Sequence, residues 1–289
     1  PAPAAGRSEK WKREATRASG SIAGKTQFSF HVMNAWGGTG CGKSASGFTT
    51  TLVSYQTAVW QTTYGGAVIV RMGMAPREAS LGYEALQAHW RSEHADLAAQ
   101  LEGLRSYVQN HAVLEHGRPL FPYVGFDACS ELVWDSLEAM DAAFASEHYR
   151  RTVVADERSL IDKSRFLLLL SERRVLQDDE PPEDAVKLLT YLPLDARSSR
   201  EELFDVLGGA YREIVAEARP LRHEQLLELR GAHEGRLPAV FQAVDILWFS
   251  APGEAVDFVH GEVGHRAGYA LAGRAFGLER LVARPHRVV

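Results

Sequence analysis

Two stretches, Leu104-Arg-Ser-Tyr-Val-Gln-Asn110 and Leu221-Arg-His-Glu-Gln-Leu-Leu227, decide the fold, because each reads as a strand at the same place in a repeated order of elements. Around the first, "AVIVRMGM" (67–74) alternates as a strand, and Tyr83 to Leu101 has the apolar spacing of an amphipathic helix. "LRSYVQNHAVL" (104–114) and "YVGFDACSELVW" (123–134) read as two more strands. A second helix runs from Leu137 to Tyr149, irregular or helical chain continues to Ile161, and "SRFLLLLSERRVL" (164–176) closes as a strand. The order is β-α-β-β-α-β, the ferredoxin-like unit, with two helices on one face of a four-stranded antiparallel sheet.

Beyond the acidic, proline-containing linker 177–184, the order repeats. "AVKLLTYLPL" (185–194) mirrors the first strand, Arg200 to Ala218 the first helix, and "LRHEQLLELRG" (221–231) the second strand. "FQAVDILWF" (241–249) mirrors the third strand, and Glu254-Ala-Val-Asp257 mirrors Glu138-Ala-Met-Asp141, with a displacement near 117 residues throughout. A sheet covered by helices on one side leaves its other face apolar, and two such units hide that surface by packing open face to open face. The expectation is therefore an α+β fold: two ferredoxin-like βαββαβ units, residues 67–176 and a divergent copy at 185–289, packed as a pseudo-dimeric α+β barrel. Such a fused pair is complete as a monomer, and further pairing into a homodimer stays open.

Among 289 residues, 45% are apolar, enough for a buried core, and the net charge of −5 leaves no general basic field to hold nucleic acid or an anionic membrane. No run approaches the roughly 18 apolar residues of a membrane span. The two cysteines, Cys41 and Cys129, suggest neither a disulfide framework nor a zinc site, which points to a reducing, cytoplasmic compartment. Between Glu14 and Glu78 there is no acidic residue, and residues 1–66 read as a poorly ordered or non-core extension. Within it, Gly37 to Ser44, "GGTGCGKS", fits the phosphate-loop pattern G-x-x-x-x-G-K-[ST]. Gly47 and three threonines follow where a helix is required, and no convincing magnesium-binding aspartate strand follows either, so nucleotide binding is not expected.

The first helix carries the stripe Tyr83, Leu86, Trp90, Leu97 and Leu101, and His94 fills its gap. His89, five residues earlier, lies about 140° around an α-helix from His94 and reads as solvated. His94 is either a core histidine bonded internally or an imidazole placed to exchange a proton with a bound substrate. On the following strand Tyr107, Gln109 and His111 share one face and Val108, Asn110 and Ala112 the other; periodicity does not say which face meets the helices. Asp127 and Asp156 read as surface or helix-end residues. His116, His148, His260 and His265 have no metal-ligand spacing, so no metal is expected. In the second half the stripe is Leu203, Leu207, Tyr211, Ile214 and Ala218, with Tyr211 in place of His94. If His94 acts in catalysis, one half is active and the other chiefly structural.

The stretch "YEALQAHWRSEHADLAAQLEGLRSYVQNH" (83–111), together with "FDACSELVWDSLEAMDAAFASEHYRRTVVADERSLIDKSRF" (126–166), resembles the EthD family of the dimeric α+β barrel superfamily. The resemblance spans about residues 67–176 and rests on H-W-x-x-x-H, on L-x-x-Y-V-Q-N and on the aspartate-glutamate pair at Asp156. It implies a small-molecule enzyme near those of ether degradation and aromatic polyketide tailoring. The expected activity is that of an oxidoreductase or monooxygenase, or acid-base chemistry of the cyclase or dehydratase type. The expected substrate is a flat, apolar aromatic or polyketide-like molecule held between helices and sheet. By this resemblance His94 would be the general base or acid and Tyr107 would bind or polarise an oxygen. Trp90, Asn110 and His111 are the further residues expected at the substrate pocket. No cofactor is expected; a haem-binding barrel with a histidine axial ligand, or a non-catalytic carrier of a hydrophobic molecule, are the other classes.

Overall fold

The computed structural model describes residues 68–289; the loop 37–44 and the rest of the N-terminal extension lie outside the described residues. The principal strands are β1 (Ile69–Ala75), β2 (Ser106–Ala112), β5 (Ala128–Trp134), β6 (Leu167–Asp178), β7 (Val186–Leu192), β8 (Arg222–Glu228), β9 (Ala243–Phe249) and β10 (Glu279–Arg287). A short hairpin, β3 (Leu114–Glu115) with β4 (Arg118–Pro119), follows β2. The principal strands close into a barrel in the order β1-β5-β2-β10-β7-β9-β8-β6. The neighbours β6-β1-β5-β2 come from residues 69–178 and β10-β7-β9-β8 from residues 186–287. The two sets meet along two antiparallel seams, β2 with β10 and β6 with β8.

Alternation of side chains along each strand sorts them into two environments. Val70, Met72, Met74, Ala112, Cys129, Leu169, Leu189, Leu226, Val244, Ile246 and Leu281 form one cluster drawn from every barrel strand, which places them in the lumen. The other faces meet helices. Ile69, Leu132, Trp134 and Leu170 pack with Ala98, Leu101, Met140 and Ala143, and Val186, Leu188, Leu227 and Leu247 pack with Leu203, Leu207, Tyr211 and Val215. The helices begin on ordinary signals. Ser136 accepts from the amide of Ala139, Ser199 and Glu202 form a capping box, and Pro252 opens the helix Pro252–His260.

The first helix departs from the regular reading. It is helical at Tyr83–His89, passes through a π-helical turn at Trp90–His94, and resumes as α-helix at Ala95–Ala98. A π-turn inserts one extra residue, so the buried stripe slips by one and continues through Ala98 rather than Leu97. A comparable slip occurs in the second half, where Gly209 separates Arg200–Gly208 from Ala210–Ala216 and Val215 is buried in place of Ile214. A second π-turn, Tyr149–Val153, precedes the helix Val154–Leu160.

The lumen also holds charge. Glu131 of β5 lies 2.6 Å from Lys187 Nζ of β7, both at most 2% exposed, and 2.5 Å from Arg173 Nη2 of β6; Asn110 donates to it at 2.9 Å. Burial alone would raise the Glu131 carboxyl, but Lys187 and Arg173, with the hydrogen bonds from Lys187 and Asn110, hold it down at about 2. Its stabilising effect is complete above the unfolded carboxyl range near about 4.3 and fades as pH falls toward about 2. Glu131→Gln leaves Lys187 buried and uncompensated, so urea unfolding at neutral pH is expected to show a loss of about 3–5 kcal/mol. The double variant Glu131→Leu with Lys187→Met should recover most of that loss.

Candidate active site

Between the outward face of β1, β2 and β5 and the helices over it lies a slot lined by Arg71, Trp90, His94, Tyr107, Phe144 and Glu157, among others. Its empty volume comes to about 600 Å³ with the open mouth included. The outer faces of β1 and β5 supply its floor at Gly73, Ala75, Ala128, Ser130 and Leu132.

His94 is held at one wall. Its Nδ1 lies 2.8 Å from Asp156 Oδ2, and His89 Nε2 lies 2.6 Å from the other oxygen of the same carboxylate. A carboxylate only accepts, so each imidazole presents an N–H to it. With Nδ1 protonated, neutral His94 keeps its lone pair on Nε2, which makes no hydrogen bond among the described residues. The π-turn produces this arrangement. Residues five apart diverge on an α-helix but nearly overlay across a turn with i→i+5 bonding, so His89 and His94 reach one carboxylate. The expectation of a solvated His89 is corrected for that reason; Asp156 is the helix-end residue expected, in the first turn of Val154–Leu160, but it is turned onto both histidines rather than to the surface.

Tyr107, 1% exposed, accepts hydrogen bonds at its phenol oxygen from Trp90 Nε1 at 3.1 Å and Gln109 Nε2 at 2.9 Å. Its own proton has no acceptor among the described residues, and burial pushes the phenol well above its ordinary ionisation range. Tyr107 is thus a neutral donor with its oxygen fixed from two sides. Gln109 Nε2 also donates to the Trp90 carbonyl at 2.6 Å, tying strand to helix, and its Oε1 lies 2.9 Å from His111 Nε2.

Of the five residues expected at the site, Trp90, His94 and Tyr107 line the slot, and Asn110 and His111 are not among its lining residues. Asn110 faces the lumen, one residue out of phase with Tyr107, and bonds Glu131. His111 shares the face of Tyr107 but lies beyond Gln109, its ring 4.7 Å from that of Trp90, so it orders Tyr107 through Gln109. Asp127 is buried in an ion pair with Arg77 at 3.0 Å rather than exposed. Sequence reading missed Arg71, Phe144, Tyr149, Glu157 and Phe166 as lining residues. Arg71 had left a signal: a charge inside the apolar strand "AVIVRMGM", in phase with Gly73.

The fold and site define a class, an antiparallel α+β barrel with a helix-covered pocket. Residues 78–164 match the EthD domain family. The chain has the fold of an anthrone oxidase-like protein of known structure, at 15% identity over 77% of this chain and 93% of that one, with a TM-score of 0.54. It is also similar to a chlorite dismutase from Candidatus Nitrospira defluvii, at 10% identity over 75% of this chain and 91% of that one, with a TM-score of 0.44. An EthD family protein from Bacillus halodurans matches at 16% identity over 36% of this chain and 97% of its own, with a TM-score of 0.29. No curated protein sequence matches. Among the described residues, no helix is long and apolar enough to cross a membrane, and no cluster of His, Cys, Asp or Glu is arranged to hold a metal ion.

Two measurements check this geometry. Nitrogen-15 NMR of neutral His94 is expected to show the Nδ1–H tautomer, and Asp156→Ala should abolish that preference. Burial, reinforced by Arg91 and His286, lowers His111 to about 3, so the folded state favours the neutral ring. The stability this confers is full above the unfolded value near about 6.5 and is lost as pH falls to about 3. His111→Gln should therefore flatten the acid limb of the stability profile in that window, measured by urea unfolding at stepped pH.

Proposed function

We propose that this chain is an EthD-like small-molecule enzyme in which His94 removes a proton from an acidic C–H or phenol of a flat aromatic or polyketide-like substrate. The observation that carries the proposal is the anchored His94, with Nδ1 on Asp156 and Nε2 free at the cavity wall. Asp156 fixes the tautomer and stabilises the imidazolium formed by the transfer, the part a buried carboxylate plays behind a catalytic histidine. Tyr107, neutral and pre-positioned, donates to the oxygen on which the resulting negative charge collects. An enolate or phenolate made in this way can react with O₂ in a monooxygenase or oxidase, or rearrange in a cyclase or isomerase; the proton transfer is common to all.

Residues 185–289 are, in this proposal, a divergent second ferredoxin-like copy with a structural role. Several equivalences support the duplication. Each half contributes four strands in the spatial order fourth, first, third, second. Gln109 bonds the carbonyl of Trp90, and Gln225 bonds the carbonyl of Leu207 at the matching helix position. Where the first half has the free face of His94, the second has Tyr211 donating to Asp245 at 2.8 Å, with His223 on the same carboxylate at 2.7 Å. That cluster turns both oxygens of Asp245 inward onto its own neighbours.

Anthrone is a suitable trial substrate, since it is flat and carries an acidic C–H beside a carbonyl-conjugated ring system. Wild-type protein is expected to accelerate deuterium exchange at that carbon. His94→Ala should lower the exchange rate by about 10²–10⁴-fold with the melting temperature nearly intact. Oxygen uptake run in parallel separates the oxidase from the isomerase branch. No acceleration by wild-type protein leaves the barrel a non-catalytic carrier, unchanged exchange in the variant removes His94 as the base, and global unfolding makes His94 a core residue.

A further inference from the structure

The slot holds a cation that the proton transfer does not use. Arg71 projects from β1 over Gly73, where an added Cβ would stand 3.0 Å from its Nη1. Its guanidinium lies 4.2 Å from the centroid of Phe144 and 5.3 Å from that of Phe166. Among the described residues it makes no ion pair and no hydrogen bond. The carboxylate that lines the same slot, Glu157, is engaged elsewhere: it pairs with Lys163 and accepts from Tyr149 at 3.3 Å. Burial lowers the guanidinium from its ordinary value while the neighbouring Tyr149 and Glu157 raise it, and it stays charged under any ordinary condition.

A cation held against aromatic faces at the wall of the slot, with no hydrogen bond to the described residues, is placed to receive an anion. Cation–π contact with the two rings holds the guanidinium in place, and its N–H donors, which pair with nothing among the described residues, suit bidentate contact with oxygen. We propose that Arg71 selects substrates bearing an ionised oxygen, so that the pocket takes a flat aromatic carboxylate or phenolate rather than a neutral hydrocarbon or ether. This rests on the cavity being the substrate site. Three parts of the pocket then divide the work: aromatic and aliphatic walls hold the ring, Arg71 holds the anionic oxygen, and His94 with Tyr107 acts on the reacting carbon and its neighbouring oxygen. Gly73 and Ser130, beneath the guanidinium, leave the floor open for it.

The test is binding by isothermal titration calorimetry of two matched pairs. 1-Naphthoate against 1-naphthamide probes a carboxylate; 4-nitro-1-naphthol, which is ionised at neutral pH, against its methyl ether probes a phenolate. In at least one pair, Arg71→Met is expected to shift the anion-to-neutral affinity ratio by about tenfold or more toward the neutral ligand, the size of a lost charged hydrogen bond. The pair that responds identifies the acid. Arg71→Lys should keep part of the preference, and Arg71→Gln replaces the methionine variant if that one does not fold. If the neutral ligands bind and neither ratio moves, Arg71 is a packing residue and this inference falls while the cavity reading stands. If wild-type protein binds none of the four, the cavity reading fails and takes the inference with it.

Discussion

The structure depends on closure. Taken alone, the four strands of residues 69–178 would end in two bare edges, β2 and β6, each a row of unpaired amides and carbonyls, and would expose an apolar inner face. Strands β10 and β8 satisfy both edges, and the inner faces of the two sets fill a common lumen. Closure is the one arrangement that removes sheet edges outright, and it buries both inner faces at once. It also brings Glu131, Arg173 and Lys187 together from β5, β6 and β7, so a charge cluster in the lumen crosses from one set of strands to the other.

Closure leaves the outer faces for the helices, and there the two halves part ways. In the second half polar groups pair inward, Tyr211 and His223 on Asp245, and the layer is filled. In the first, Asp156 comes from beyond the first helix, holds His94 from behind and leaves its other nitrogen facing the slot. Tyr107 is held in the complementary way, by donors that occupy its oxygen and leave its proton. The same chemistry, a carboxylate bonding an imidazole, thus serves packing in one half and leaves a ring nitrogen without a hydrogen bond to the described residues in the other. The difference lies in which side of the ring the carboxylate occupies.

Much of the strand layout was legible because alternation is a local signal: the expected strands at 67–74, 104–114, 164–176 and 185–194 all overlap barrel strands. His94 was placed on the buried stripe because four-residue steps from Leu86 through Trp90 lead to it under either helix geometry. Beyond His94 the π-turn broke the count, exchanging Leu97 for Ala98 and bringing His89 alongside. Asn110 and His111 failed as pocket residues for different reasons. One faces the lumen, a choice that alternation leaves open until the covered face is known, and the other is shielded behind Gln109.

What the sequence by itself determined was the order and type of the elements and which residues share a face, since these follow from side-chain period and backbone preference. Only the tertiary structure decided which face of β2 meets the helices, that Asp156 stands behind both His89 and His94, and that Arg71 enters the slot with Glu157 already paired. Those facts depend on where separate segments meet after closure. A carboxylate more than sixty residues from its histidine leaves no periodic trace, because its role is fixed by packing distance and not by spacing along the chain.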